Sequence, residues 1–344
     1  MTSIVTMNVR DGHAAHAAND PSITEISDGH GAAHGWAPAR AGAETMPRNC
    51  EWARLKYAIA CDNHWSPQAI PMTRDAHSWK DRQMLTSEDR RMAQYHLSWF
   101  VCADNMVATR IALGVYRQVT AEDCRHFLLR QAFAQTVHAH AYRSIAESLG
   151  VDARVLAGIY AASPAMRCKL GFLWPHVELL HDPGFRIGTA AADEQFLTAL
   201  VVFGCVAEGV FSDAGFAQLL SLACMKKLPG LAMHCRHIMR DRAVHWNFWL
   251  SLVHSMQLER PQLWGPSVVQ GVRAMIARAV ALEDASIDDS MPSDALRVST
   301  KALKQFVRFV VNKRQARLGL QAQFPGQHNP FPWLEGEPTE IPRL

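Results

Sequence analysis

An all-α fold is predicted for this 344-residue chain by three observations. No segment alternates apolar and polar residues with period two over a useful length, as a half-buried strand would. Long stretches instead repeat apolar residues in steps of three and four, the spacing of one helix face. Turn signals such as Asp182-Pro-Gly and Pro229-Gly230 fall between those stretches.

Residues 1–48 are rich in Ala, Gly, His, Asp and Pro without periodicity, and a disordered leader is expected there. Trp52-x-x-x-Lys56 marks a short helix, followed by a loop that runs to Trp79. Thr86-Ser-Glu-Asp89 is a capping-box pattern. It opens a long helix whose buried face passes through Leu97, Val101, Asp104, Ala108 and Ile111. The next helix, 121–149, aligns Leu128, Gln131, Gln135, His138, Tyr142, Ile145 and Leu149 on one face. A shorter helical region covers 151–182. A third long helix, 191–224, buries Leu197, Val201, Gly204, Glu208, Phe211 and Gly215, and a fourth, 231–257, buries Leu231, Ile238, Arg242, His245, Trp249 and Leu252. Helices over 265–284 and 292–318 complete a helical domain spanning 49–323. Residues 324–344, which open with Phe324-Pro-Gly-Gln, are expected to be extended.

Hydrophobic residues make up 49% of the chain, enough for a sizeable core. The net charge of +3, without a long run of one sign, gives nucleic-acid binding no electrostatic support. Eight cysteines lack any C-x-x-C pair, and several lie inside helical apolar patterns, as small core residues of a reducing compartment do. The N-terminus has no apolar signal-peptide core. The longest apolar run, Phe196 to Phe211, carries Glu208 and is too short to span a bilayer. A cytoplasmic protein that engages neither membrane nor nucleic acid is expected.

Four long helices each place polar side chains in an apolar seam: Asp104; Gln135 and His138; Glu208; Arg242 and His245. A ferritin-like dimetal bundle takes one carboxylate from each of two helices and a Glu-x-x-His pair from each of the other two. Here both histidines are present, while the two paired Glu positions hold Gln135 and Arg242.

From Trp52 to about Leu334 the chain resembles the small, radical-bearing subunit of class I ribonucleotide reductase. The resemblance is carried by Trp52-x-x-x-Lys56, Trp65-Ser-Pro-Gln-Ala-Ile, Ala103-Asp104-Asn105, Gln135-x-x-His138-x-x-x-Tyr142 and Glu208-Gly-Val-Phe211. Pro229-Gly-Leu231, Arg240-Asp241-Arg242-x-x-His245 and Asn329-Pro-Phe-Pro-Trp333 extend it. It implies a ferritin-like helical bundle of oxidoreductase ancestry serving deoxyribonucleotide synthesis. It also implies that Asp104, His138, Glu208 and His245 match metal ligands, and Tyr142 the tyrosine that carries the stable radical. Trp52 and Asp241 then match the route by which the radical leaves His138. Phe216 and Ile238 match the apolar wall around the tyrosine, which Ser212 and Asp213 make more polar.

The departures matter as much. In the family the two Glu-x-x-His carboxylates bridge the metals, and both are replaced. A guanidinium at a bridging position repels cations strongly at a few Å. No full dinuclear cluster is therefore expected; Arg242 is expected to pair with Asp104 and Glu208. A single iron or manganese on the remaining ligands is the alternative. A metal-free branch of the family is similar, with Gln and Lys at the two positions, a hydroxylated tyrosine and a flavoprotein activator. Glu208, which that branch lacks, departs from it. Only Leu334 to Leu344 follow the Asn-Pro-Phe segment, without the relay tyrosine of the family's tail, and this weakens the expected pairing with a large reductase subunit. The leading reading is a metal-free or metal-poor tyrosyl-radical protein. A non-catalytic scaffold or partner subunit, and an iron-dependent oxygenase repurposed for a small molecule, stand beside it. A helix-packed dimer, with itself or with a related small subunit, is what the resemblance implies.

Overall fold

The computed structural model describes residues 50–106, 110–291 and 298–334, and for 104–106 the backbone alone. The expected leader, residues 335–344 of the C-terminal segment, and 292–297 at the start of the last predicted helix lie outside the described residues. Among the described residues the chain is helical without strands: α1 (Glu51–Asp62), α2 (Thr73–Lys80), α3 (Ser87–Met106), α4 (Ala112–Tyr116), α5 (Glu122–Leu149), α6 (Ala153–Ala162), α7 (Pro164–His181), α8 (Ala190–Val201), α9 (Phe211–Cys224), α10 (Pro229–Glu259), α11 (Pro266–Ser290) and α12 (Thr300–Arg317). A π-helical segment, Val202–Val210, joins α8 to α9.

The helix ends follow local chemistry. At α3 the capping box is reciprocal: Asp89 N donates to Thr86 Oγ1 at 3.1 Å and Thr86 N to Asp89 Oδ2 at 2.9 Å. At α5, Glu122 and Asp123 favour the positive end of the helix dipole. Gly150, with φ of 70°, ends α5 in a Schellman turn closed by Val151 N to Ala146 O and Gly150 N to Glu147 O. The region 151–182 is two helices rather than one, because Ser163 caps Met166 N and Pro164 begins α7.

Helix α2 falls where a loop was expected. Its buried Asp75 accepts from Gly230 N and Leu231 N, both at 2.8 Å, and so caps the first turn of α10. Pro229-Gly230 therefore opens α10 rather than lying ahead of it. A Cβ on Gly230 would come within 2.7 Å of Pro71 O, so only glycine lets the two segments approach.

Helices α3, α5, α8 to α9 and α10 form the core. Helices α1 and α4 pack on α5, α6 on α3, and α11 with α12 cover the π segment. The seams of α5, of α8 to α9 and of α10 are buried at every predicted position. On α3, Val101 is instead 36% exposed. The helical stretch Ala190–Cys224 has the length and hydropathy of a membrane span, but 89% of its apolar window is buried, the setting of a bundle-core helix.

Candidate functional site

The polar centre lies where α5, the π segment and α10 meet. Glu208, fully wrapped by protein, is its hub. Its Oε1 accepts from Gln135 Nε2 at 2.8 Å and Gln131 Nε2 at 3.1 Å, with His245 Nδ1 at 3.7 Å. Its Oε2 accepts from Arg242 Nη1 at 3.2 Å. The same Nη1 donates to Ser212 Oγ at 3.0 Å, and Ser212 donates to Ala207 O at 3.2 Å. Burial pushes the Glu208 carboxyl up, but Arg242, His245 and His138 outweigh it and hold the group down at about 2.

Arg242 thus meets Glu208 as expected. The expected contact with Asp104 lies outside the described residues, although the backbone of Asp104 sits in the last turn of α3. Asp213 points the other way, to Arg314 Nη2 at 3.1 Å.

His138 has both ring nitrogens facing oxygen: Nδ1 lies 3.3 Å from Gln135 Oε1, and Nε2 lies 3.0 Å from Asp241 Oδ2. Asp241 Oδ2 also accepts from Trp65 Nε1 at 2.9 Å. Burial raises the Asp241 carboxyl, and His138, Trp65 and His245 more than reverse this, leaving it below the ordinary value.

The indole at Asp241 is therefore Trp65, not Trp52. Trp52 lies on α1, 5.5 Å ring to ring from Phe248, and its Nε1 has no hydrogen-bond partner among the described residues. The loop between α1 and α2, not α1 itself, runs beside Asp241, which is why the second tryptophan reaches it.

Tyr142 is fully buried one turn along α5 from His138. Its ring stacks on Phe100 at 5.3 Å, and Phe100 stacks in turn on Phe216 at 4.6 Å. Phe216 thus belongs to the wall around Tyr142 through Phe100, a residue the sequence reading did not single out. Ile238 is fully buried on α10, one turn before Arg242. Gln131, a seam position of α5, adds its amide as a further donor to Glu208.

The π segment gives this centre its backbone partners. Ala207 O also faces Arg242 Nη1 at 3.5 Å, and Phe211 O, where the segment passes into α9, accepts from Trp99 Nε1 at 2.8 Å and Lys169 Nζ at 3.2 Å. Widened turns of this kind leave carbonyls for side chains to satisfy, and here they do so beside the site.

Inward-facing polar residues from these helices define a ferritin-like bundle of the carboxylate-centred type. Residues 43–330 match the family of ribonucleotide reductase small chains. Over 291 residues the chain is 31% identical to the ribonucleoside-diphosphate reductase subunit beta of Chlamydia pneumoniae, covering 85% of this chain and 84% of that protein. The chain belongs to the ribonucleotide reductase small-chain family. Its fold is similar to the ribonucleotide reductase R2 subunit from Clostridium botulinum, with a TM-score of 0.76 at 16% identity over 88% of this chain and 98% of that one. It is also similar to the ribonucleotide reductase Rnr4 homodimer from Saccharomyces cerevisiae, with a TM-score of 0.71 at 19% identity over 85% and 86%.

Proposed function

We propose that this chain is a metal-free or metal-poor radical subunit of the ribonucleotide reductase type, with Tyr142 the residue that is oxidised. The observation that carries the reading is that both oxygens of Glu208 are engaged by protein donors. A dinuclear centre needs acidic oxygens with lone pairs turned to the metals, two of them from Glu-x-x-His pairs. Here those two positions supply donors, Arg242 and Gln135, and both point at Glu208. Both nitrogens of His138 also face oxygens. The residues described do not fit a dinuclear metal centre.

What remains is a cation, Arg242, over the ring of Phe216, and an oxidisable, fully buried phenol stacked on Phe100, which stacks in turn on Phe216. A shield of this kind slows quenching of a radical by solvent reductants. The hydrogen-bonded line His138–Asp241–Trp65 is the route we assign to electrons passing between the interior and the surface. A flavoprotein is the expected source of oxidising equivalents. Family membership supports a homodimer that works with a large reductase subunit in deoxyribonucleotide synthesis.

The test is EPR spectroscopy of the purified protein after co-expression with a flavoprotein reductase. A tyrosyl-type signal that disappears in Tyr142→Phe is expected. No signal under any activation condition would contradict the reading and leave a scaffold subunit.

A further inference from the structure

On the side of the π segment covered by α12 lies a second guanidinium that this reading does not use. Arg314 of α12 donates from Nη2 to Asp213 Oδ2 at 3.1 Å and from Nη1 to Gly204 O at 3.4 Å. Its guanidinium lies over the Trp246 ring at 4.7 Å. The Arg314 side chain is 13% exposed and that of Asp213 21%, so the pair is largely withdrawn from water. Gly209, the residue after Glu208, makes the room. A Cβ there would collide with Cζ, Nε and Nη1 of Arg314. The guanidinium is therefore a seated part of the bundle, fitted against the turn that carries Glu208.

Asp213 joins this outer pair to the centre. It lies in the first turn of α9, directly after Ser212, whose Oγ accepts from Arg242 Nη1 at 3.0 Å. Burial pushes the Asp213 carboxyl up, while Arg314 and, after it, Arg242 draw it down. One carboxylate thus stands in the field of two guanidiniums, and Arg314 holds it. Across the π segment the charges alternate in sign: Glu208, Arg242, Asp213, Arg314.

That order decides whether a cation can enter. A divalent ion can take Glu208 only if Arg242 gives it up, because the ion and the guanidinium compete for one carboxylate and repel each other. A buried guanidinium in turn needs another carboxylate to go to, since an unpaired one is costly. Asp213, the chain neighbour of its present partner Ser212, is placed to accept it. It is already taken.

We propose that Arg314 is a lock: by occupying Asp213 it denies Arg242 a second carboxylate and so keeps Glu208 closed to divalent cations. Without Arg314, Asp213 is free to receive Arg242, and Glu208 Oε2 is released. The two states differ by an exchange of partners among four side chains. A cation that binds only the second state shifts the population toward it. Arg314 acts through Asp213 and is a positioning residue. The lock rests on the reading above that Arg242 closes Glu208.

The experiment is titration of the full chain with Mn²⁺, the free ion being read by EPR. The parent should bind no stoichiometric ion. Arg314→Met should bind Mn²⁺ about tenfold or more tightly than the parent, the size of a typical coupling between sites. Arg314→Gln, which also removes the charge, should show the same gain and serves where the methionine variant fails to fold. Arg314→Lys keeps a cation at Asp213 and should behave as the parent. In Arg314→Met combined with Asp213→Asn the gain should be lost, a dependence that mere loosening of the bundle would not produce. No gain in either neutral variant, or a gain that survives Asp213→Asn, would overturn the lock. Stoichiometric Mn²⁺ in the parent would instead strike the reading of the centre, whereas an ion-free parent without a gain in the variants strikes the lock alone.

Discussion

A carboxylate as deeply buried as Glu208 stays ionised only because donors replace its water shell, and Arg242 is the charged one among them. Arg242→Met strands that charge and should cost about 3–5 kcal/mol in urea unfolding. Arg242→Met combined with Glu208→Leu should recover most of the loss, since no unpaired charge then remains; a double variant no better than the single would show that the pair is not the source. The pH dependence follows from the same group. Its folded value of about 2 lies below the ordinary 4.5, so its stabilisation is complete above about pH 4.5 and is lost as pH falls toward about 2. Acid unfolding of Glu208→Gln should be flatter than that of the parent across that window. At this scale the sequence was informative where a polar residue interrupted an apolar period, as at Gln135, His138, Glu208, Arg242 and His245. Trp65 lies on a loop, where no period marks a side chain's direction, so the role of the indole went to Trp52. The part played by Gln131 depends on a carboxylate from another helix, which no pattern within α5 reveals.

Among the elements, the π segment decides how Glu208 is presented. Gly204 allows it to approach α10: a Cβ there would lie 2.7 Å from Trp249 Cβ, an atom fixed to the α10 backbone. Gly204→Ala should destabilise by about 1–3 kcal/mol in thermal unfolding. A neutral result would mean that the two helices part easily. The long helices were legible from their seams, and α3 also from the capping box at its start. The π segment was not, because all nine of its residues are buried and a stretch without an exposed face has no period to read. Helix α2 was missed for a different reason. It is eight residues long and mostly polar, and the capping work of Asp75 is done across the chain rather than within it.

For the whole molecule, the bundle keeps the architecture of its family while the charges at its centre are rearranged. Family and fold were both visible in the sequence, because motif spacing along four helices survives replacement of the two Glu-x-x-His carboxylates by Gln135 and Arg242. The state of the centre was visible in part: replacing two acidic positions by an amide and a guanidinium forecast the pairing of Arg242 with Glu208. The remaining donors came from positions whose direction only tertiary packing sets. Metal content per chain, measured by elemental analysis after purification from iron- and manganese-replete cells and again after metal loading, tests the central claim most directly. The arrangement around Glu208 predicts no stoichiometric metal in either preparation. About two metals per chain would contradict it, and would mean that Arg242 swings out of the centre to admit them.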